Sequence, residues 1–134
     1  MSYTSFVAAL SGLSVAGVRR TYNAPPVQLS TADLPALFTT LPQGNTAIDT
    51  LGGTTGLRSM SCMVVVAIEP VKQSMQLTNY TATMTMLDAV ESTLKAAAAS
   101  NRVIDRWTLE ATETPIGDSL YWAIVATVEG SEES

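Results

Sequence analysis

The stretch from Leu57 to Ala99 constrains this chain most, because it sets a strand apolar on both faces directly before the longest helical pattern. From Leu57 to Glu69 the residues read LRSMSCMVVVAIE. In an extended strand Arg58, Met60, Cys62, Val64, Val66 and Ile68 share one face, and Met63, Val65 and Ala67 the other. Apolar character on both sides at the centre is what a central strand needs. Glu69-Pro70 ends it, since proline lacks the ladder donor and biases the preceding residue away from helix. The spacing then predicts a helix over Leu77 to Ala99, with Leu77, Tyr80, Met84, Leu87, Val90 and Leu94 on one stripe. Nothing in this stretch is chemically reactive.

The flanks supply the other elements. Ser2 to Leu13 reads as a first helix capped by Ser2 or Thr4, with Phe6, Val7, Leu10 and Leu13 as its apolar stripe and Gly12 and Gly17 closing it. Val15 to Tyr22 reads as a short strand. From Asn23 to Gly56 the pattern becomes irregular. Asn23-Ala-Pro25-Pro26 opens an extended segment, and Ser30 to Asp33 resembles a weak capping box. Leu34, Leu37, Phe38 and Leu41 have the spacing of a short helical face, and Leu51-Gly-Gly-Thr-Thr-Gly56 reads as a flexible approach. So long a connection with so little regular structure is usually functional. After the long helix, Ser100-Asn101 is a suitable stop. Val103 to Glu113 alternates, with Trp107, Leu109 and Ala111 opposite Arg106, Thr108, Glu110 and Thr112, as in a strand with one wet face. Thr114 to Asp118 is a turn, and Ser119 to Glu129 is the partner strand of an antiparallel hairpin. Glu129 to Ser134 reads as a mobile acidic tail. The expected class is α+β over one domain, residues 1–134. A single twisted sheet of about four strands packs against one long helix, with an N-terminal helix and a long loop containing Pro and Gly.

Composition narrows the function. Charged residues are 14% of the chain, against ~25% in typical soluble domains. Eighteen threonines take much of the difference. A surface so poor in charge suits one covered by partners. A net charge of −5 with seven basic residues argues against sequence-reading nucleic-acid binding, which needs a basic footprint. The absence of His removes imidazole triads and His-held metals. Cys62 is the only cysteine, so no internal disulfide forms. No signal-peptide pattern opens the chain and no apolar run approaches the ~20 residues of a membrane span, so a chain made in the cytoplasm, with no membrane, is expected.

Each reactive-looking feature has a plainer reading. Gly52 to Gly56 lacks the lysine of a phosphate loop and leads into a strand, so a mobile loop accounts for it better. Glu110 and Glu113 point to opposite faces of a strand, and Asp88 and Glu91 share a helix face as many solvated carboxylates do. Cys62 lies among apolar residues with no base to activate it. The sequon Asn79-Tyr80-Thr81 falls inside a helix. Arg19 and Arg20 form either a solvated edge or half of an intersubunit ion pair, with contact to a passing DNA backbone as a further use.

Val18-Arg19-Arg20-Thr21-Tyr22, then Pro25-Pro26, then Leu29 to Phe38 (LSTADLPALF), and later Leu41-Pro42-Gln43-Gly44 together resemble the N-terminal half of tail terminator, or tail completion, proteins of long-tailed bacteriophages. The later order of strand, Ile68-Glu69-Pro70, helix and two-stranded hairpin is similar too, so the likeness runs from Val18 to Val128. The resemblance implies a structural virion protein at the head-proximal end of the tail, assembled in the host cytoplasm. It would form a ring, usually of six, that caps the tail tube, stops its polymerisation and offers a docking face to the head-completion or connector protein. The implied partners are further copies of the chain, the tail tube protein and that connector, with DNA passing through the lumen unread. It implies neither cofactor nor catalytic residue. Subunit contact is expected from Arg19, Arg20, Tyr22, Pro25, Pro26, Asp33, Leu34 and Phe38. A head–tail connector or neck protein is the neighbouring alternative, and a small-ligand or regulatory binding module the alternative from another class.

Overall fold

The computed structural model describes residues 3–22, 26, 34–48, 56–70, 76–100, 104–116 and 119–133. The elements run α1 (Tyr3–Ser11), β1 (Arg20–Thr21), β2 (Ala36–Thr39), β3 (Gln43–Ile48), β4 (Gly56–Pro70), α2 (Gln76–Ser100), β5 (Ile104–Ile116) and β6 (Ser119–Glu133). Among the described residues the class is α+β, with two helices on a mixed sheet of six strands rather than four. Its order is β1-β2-β4-β6-β5, and β3 also pairs with β4. Among the described strands only β1 and β2 run parallel. The caps expected at Ser30 and Asn101, the glycines at 52 and 53, and the turn residues Gly117 and Asp118 lie outside the described residues.

β4 is the central strand that its two-sided apolar pattern predicts. It pairs with β6 from Leu57↔Glu133 to Pro70↔Tyr121, across a bulge between Ala67 and Glu69. On one face Met60, Cys62, Val64, Val66 and Ile68 join Ile124, Ala126 and Val128 of β6 in the main core. Both helices cover that face. α1 contributes Phe6 and Leu10, and α2 contributes Met86, Val90 and Leu94. Each such side chain, fully buried, stabilises the fold by about 1.5–3 kcal/mol.

Two readings of the first 56 residues are corrected. The helical turn expected over Leu34 to Leu41 is a strand, because all four residues of β2 are buried and pair with Val64 to Ala67. Tertiary pairing overrides the local spacing. Pro35 also disfavours helix at Leu34. The supposedly irregular stretch then continues as β3. Thr39 pairs with Val64 and Gln43 with Ser61, so Thr40, Leu41 and Pro42 stand opposite only Cys62 and Met63. That is a one-residue bulge in a single long line of chain, which turns Leu41 outward. The strand expected over Val15 to Tyr22 is pared to two residues. Ahead of it Gly17, at φ +92°, turns the chain beside Met86 in a conformation that suits glycine.

The long helix forms where predicted, but rotated. Tyr80 and Met84 face solvent, at 67% and 48% exposure, while Thr83 and Met86 take their places against the sheet beside Leu87, Val90 and Leu94. The inward stripe runs through a threonine, which a hydropathy pattern does not count as apolar. Trp107 Nε1 donates to Glu91 Oε2 at 2.8 Å, tying β5 to this helix. The acidic tail is also corrected: β6 continues to Glu133, because the N-terminal end of β4 is long enough to pair with it.

Candidate assembly surface

The predicted contact residues divide. Arg19 and Arg20 are exposed at the β1 edge. The Arg19 backbone N–H donates to Pro35 O at 2.8 Å, and the Tyr22 N–H to Leu37 O at 2.8 Å, so β1 is clamped to β2 from both ends. The Arg20 guanidinium lies 4.8 Å from the Tyr22 ring centroid, a cation–π contact that holds a cation on an aromatic face. Tyr22 and Pro26 are half-buried. Pro25 and Asp33 lie outside the described residues. Leu34 and Phe38, expected at the surface, are buried instead. They belong to a second apolar cluster on the sheet face away from the helices, with Ala36, Val65, Ala67, Ile116, Tyr121 and Ala123.

That second face has two parts. Around the cluster it is buried; beyond it the face is wet, with small polar residues beside a cross-strand ion pair. Ser59, Ser61 and Met63 of β4, Thr127 and Glu129 of β6, and Arg106, Thr108 and Glu110 of β5 share it by register. Arg106 forms an ion pair with Glu129 across the two strands. Met63 is 42% exposed there, and Leu41, at the bulge whose Thr40 N–H donates to Met63 O, is 88% exposed. On the opposite side of the subunit Tyr80 and Met84 stand one turn apart on α2. Sequence reasoning missed all four as surface. Pro42, which cannot donate to a ladder, was the available signal for the bulge at Leu41.

Two of the reactive candidates, Glu91 and Cys62, have structural uses. Glu91 accepts the Trp107 indole and lies 3.7 Å from Lys95 Nζ. Among the described residues no three His, Cys, Asp or Glu side chains group as a metal site, and no described helix is long and apolar enough to cross a membrane. Cys62 is buried, and its thiol donates to Thr40 O at 3.1 Å, satisfying the carbonyl that the bulge displaces. Burial pushes this thiol above its ordinary range, against the opposing effect of the Thr40 hydrogen bonds. A raised folded-state value means the native fold prefers the protonated thiol. That stability is complete below the unfolded thiol's range, about 8.5, and is lost as pH rises through the folded value. Urea unfolding of the wild type and Cys62→Ala is therefore expected to show a stability gap at pH 7 that narrows above about pH 9. A gap that stays constant would remove the thiol from this role.

Comparison of the chain with protein-family models and with curated proteins finds no match.

Proposed function

We propose that this chain is a structural ring subunit of the tail terminator kind, capping a phage tail tube and presenting a docking face to the head-side connector. The observation that carries the reading is the placement of exposed apolar side chains on opposite sides of one small subunit. Met63 lies on the sheet side, with Leu41 exposed at the neighbouring bulge, and Tyr80 and Met84 lie on the helix side. Contacts between unlike faces of identical subunits close into rings when the rotation allows, whereas contacts between like faces give two-fold pairs. The resemblance of Val18 to Phe38 and of the later element order supports the same reading. So does the charge-poor, threonine-rich composition, which suits extensive contact.

In this reading the clamped β1 edge, with Arg19, Arg20 and Tyr22, meets a neighbouring subunit. Six copies at −5 each would carry roughly −30, letting DNA pass an acidic lumen without sticking. A ring whose pore is lined by Arg19, Arg20 or Lys95, with the carboxylates outside, would contradict the lumen proposal. The function itself is tested by negative-stain imaging of the chain mixed with tail-tube protein, and of particles assembled without it. Rings at tube ends, and overlong uncapped tails in their absence, are the expected results. Normal-length tails that fail to join capsids would instead indicate a connector. A chain that stays monomeric beside tube protein would overturn the ring.

A further inference from the structure

β5 is the terminal strand of the sheet, thirteen residues long, and no described strand pairs with its outer edge. An edge of that length is a template for another strand, and proteins commonly blunt such edges with charge, bulges or proline. Here those devices sit at the ends. The register shift lies between Ile104 and Arg106, and Pro115 is next to last. The middle is open.

We propose that this edge pairs with itself: two copies of the chain join antiparallel through β5, about a two-fold axis at Thr108. Directly opposite residues in an antiparallel pair share a face, so the axis must fall on a residue, and charge selects which one. An axis at Thr108 sets Arg106 opposite the partner's Glu110, and by symmetry Glu110 opposite the partner's Arg106. Asp105 then meets Ala111. An axis at Leu109 would set Asp105 against Glu113, and one at Glu110 would set Glu110 against itself; both juxtapose like charges. An axis at Trp107 pairs no opposite charges. Glu110 is exposed, and among the described residues it makes no ion pair within its own chain, whereas Arg106 already holds Glu129. The partner's Glu110 would complete a carboxylate–guanidinium–carboxylate row across the junction.

The opposite face supports the same axis. There Trp107 lies opposite the partner's Leu109, and each is only half-buried within its own subunit. A groove of about 340 Å³ runs beside the edge, lined by Glu91, Asp105, Arg106, Trp107 and Leu109. Two-fold pairing would cover this groove with the partner's Trp107 and Leu109. A two-fold junction does not close a ring of subunits that all point the same way, so the pair is a state of the free subunit, separate from the ring proposed above. Its test is made without tube protein, so that the two readings fail independently.

Sedimentation of the purified chain up to about millimolar concentration is expected to show a reversible dimer that weakens with added salt. Glu110→Arg turns both attractive pairs repulsive and is expected to weaken dimerisation at least about tenfold while leaving the unfolding midpoint unchanged. The register is read by cysteine scanning. At the axis the two Thr108 Cα atoms would lie about 4.5–5.5 Å apart, within the ~4.4–6.8 Å a disulfide spans, so Thr108→Cys is expected to cross-link under mild oxidation. Thr112→Cys would sit roughly 27 Å from its mate, eight residues along the strands, and is expected not to cross-link. The native Cys62 is buried and serves as the background. A chain that remains monomeric, cross-linking at 112 as readily as at 108, or full dimerisation of Glu110→Arg would each overturn the proposal.

Discussion

Phe6→Ala is expected to lower stability by about 3–5 kcal/mol, enough to unfold much of the population of a marginally stable domain. Phe6 is fully buried in the main core with Leu10, and α1 reaches β2 and β4 through this pair. The helix has nine residues, too short to persist without tertiary packing. Its other anchor is Tyr3, whose ring lies so close over Gly44 that an added Cβ there would overlap it. Removing the Phe6 ring leaves a hole walled by a paired sheet, which cannot collapse to fill it, so the transfer and cavity costs add. Met84→Ala, in the long helix, is the paired control and is expected to stay within about 0.5 kcal/mol, because Met84 faces solvent. Urea denaturation of both variants measures the difference. Similar losses from the two would mean that α2 presents Met84, not Met86, to the sheet.

That contrast shows where the sequence was legible and where it was not. β4, α2 and the β5–β6 hairpin were readable because each has a long, strong period: two-sided apolar for β4, alternating for β5, and three-to-four for α2. The rotation of α2 was less legible. Tyr80–Met84 and Thr83–Met86 are competing stripes, and burial of a threonine decides between them. β2 and β3 were hidden for another reason. Neither has a strand period of its own: β2 is apolar or small on both faces, and β3, QGNTAI, reads as loop. They are strands because β4 is long enough to hold both along one edge, with the bulge at Thr40 to Pro42 absorbing the extra residue. Long-range pairing of this kind leaves little local trace. The segment expected to make subunit contacts holds together only in part: Arg19, Arg20 and Tyr22 gather at the β1 edge, but Leu34 and Phe38 turn inward.

Phe38→Ala and Leu41→Ser separate these roles three residues apart. Phe38 is 5% exposed in the second cluster, against Val65 and the other residues of that face. Its truncation is expected to cost about 3–5 kcal/mol whether or not the chain assembles. Leu41 is held outward by the bulge, and Leu41→Ser is expected to leave the monomer's urea midpoint within about 0.5 kcal/mol of wild type. Its effect belongs to assembly. An apolar side chain that a neighbouring subunit buries contributes about 1.5–3 kcal/mol to each junction, and a ring multiplies that loss around its circumference. The measurement is therefore double: unfolding of the isolated chain, and the yield of tube-end rings at fixed concentration. If Leu41→Ser leaves ring yield intact, Leu41 is not at a junction, and the β1 edge must meet the helix-side Tyr80 and Met84 in its place. If Phe38→Ala spares folding but abolishes rings, the second cluster is a contact surface after all, and Leu34 and Phe38 return to the interface where their place beside Arg19 and Arg20 first put them.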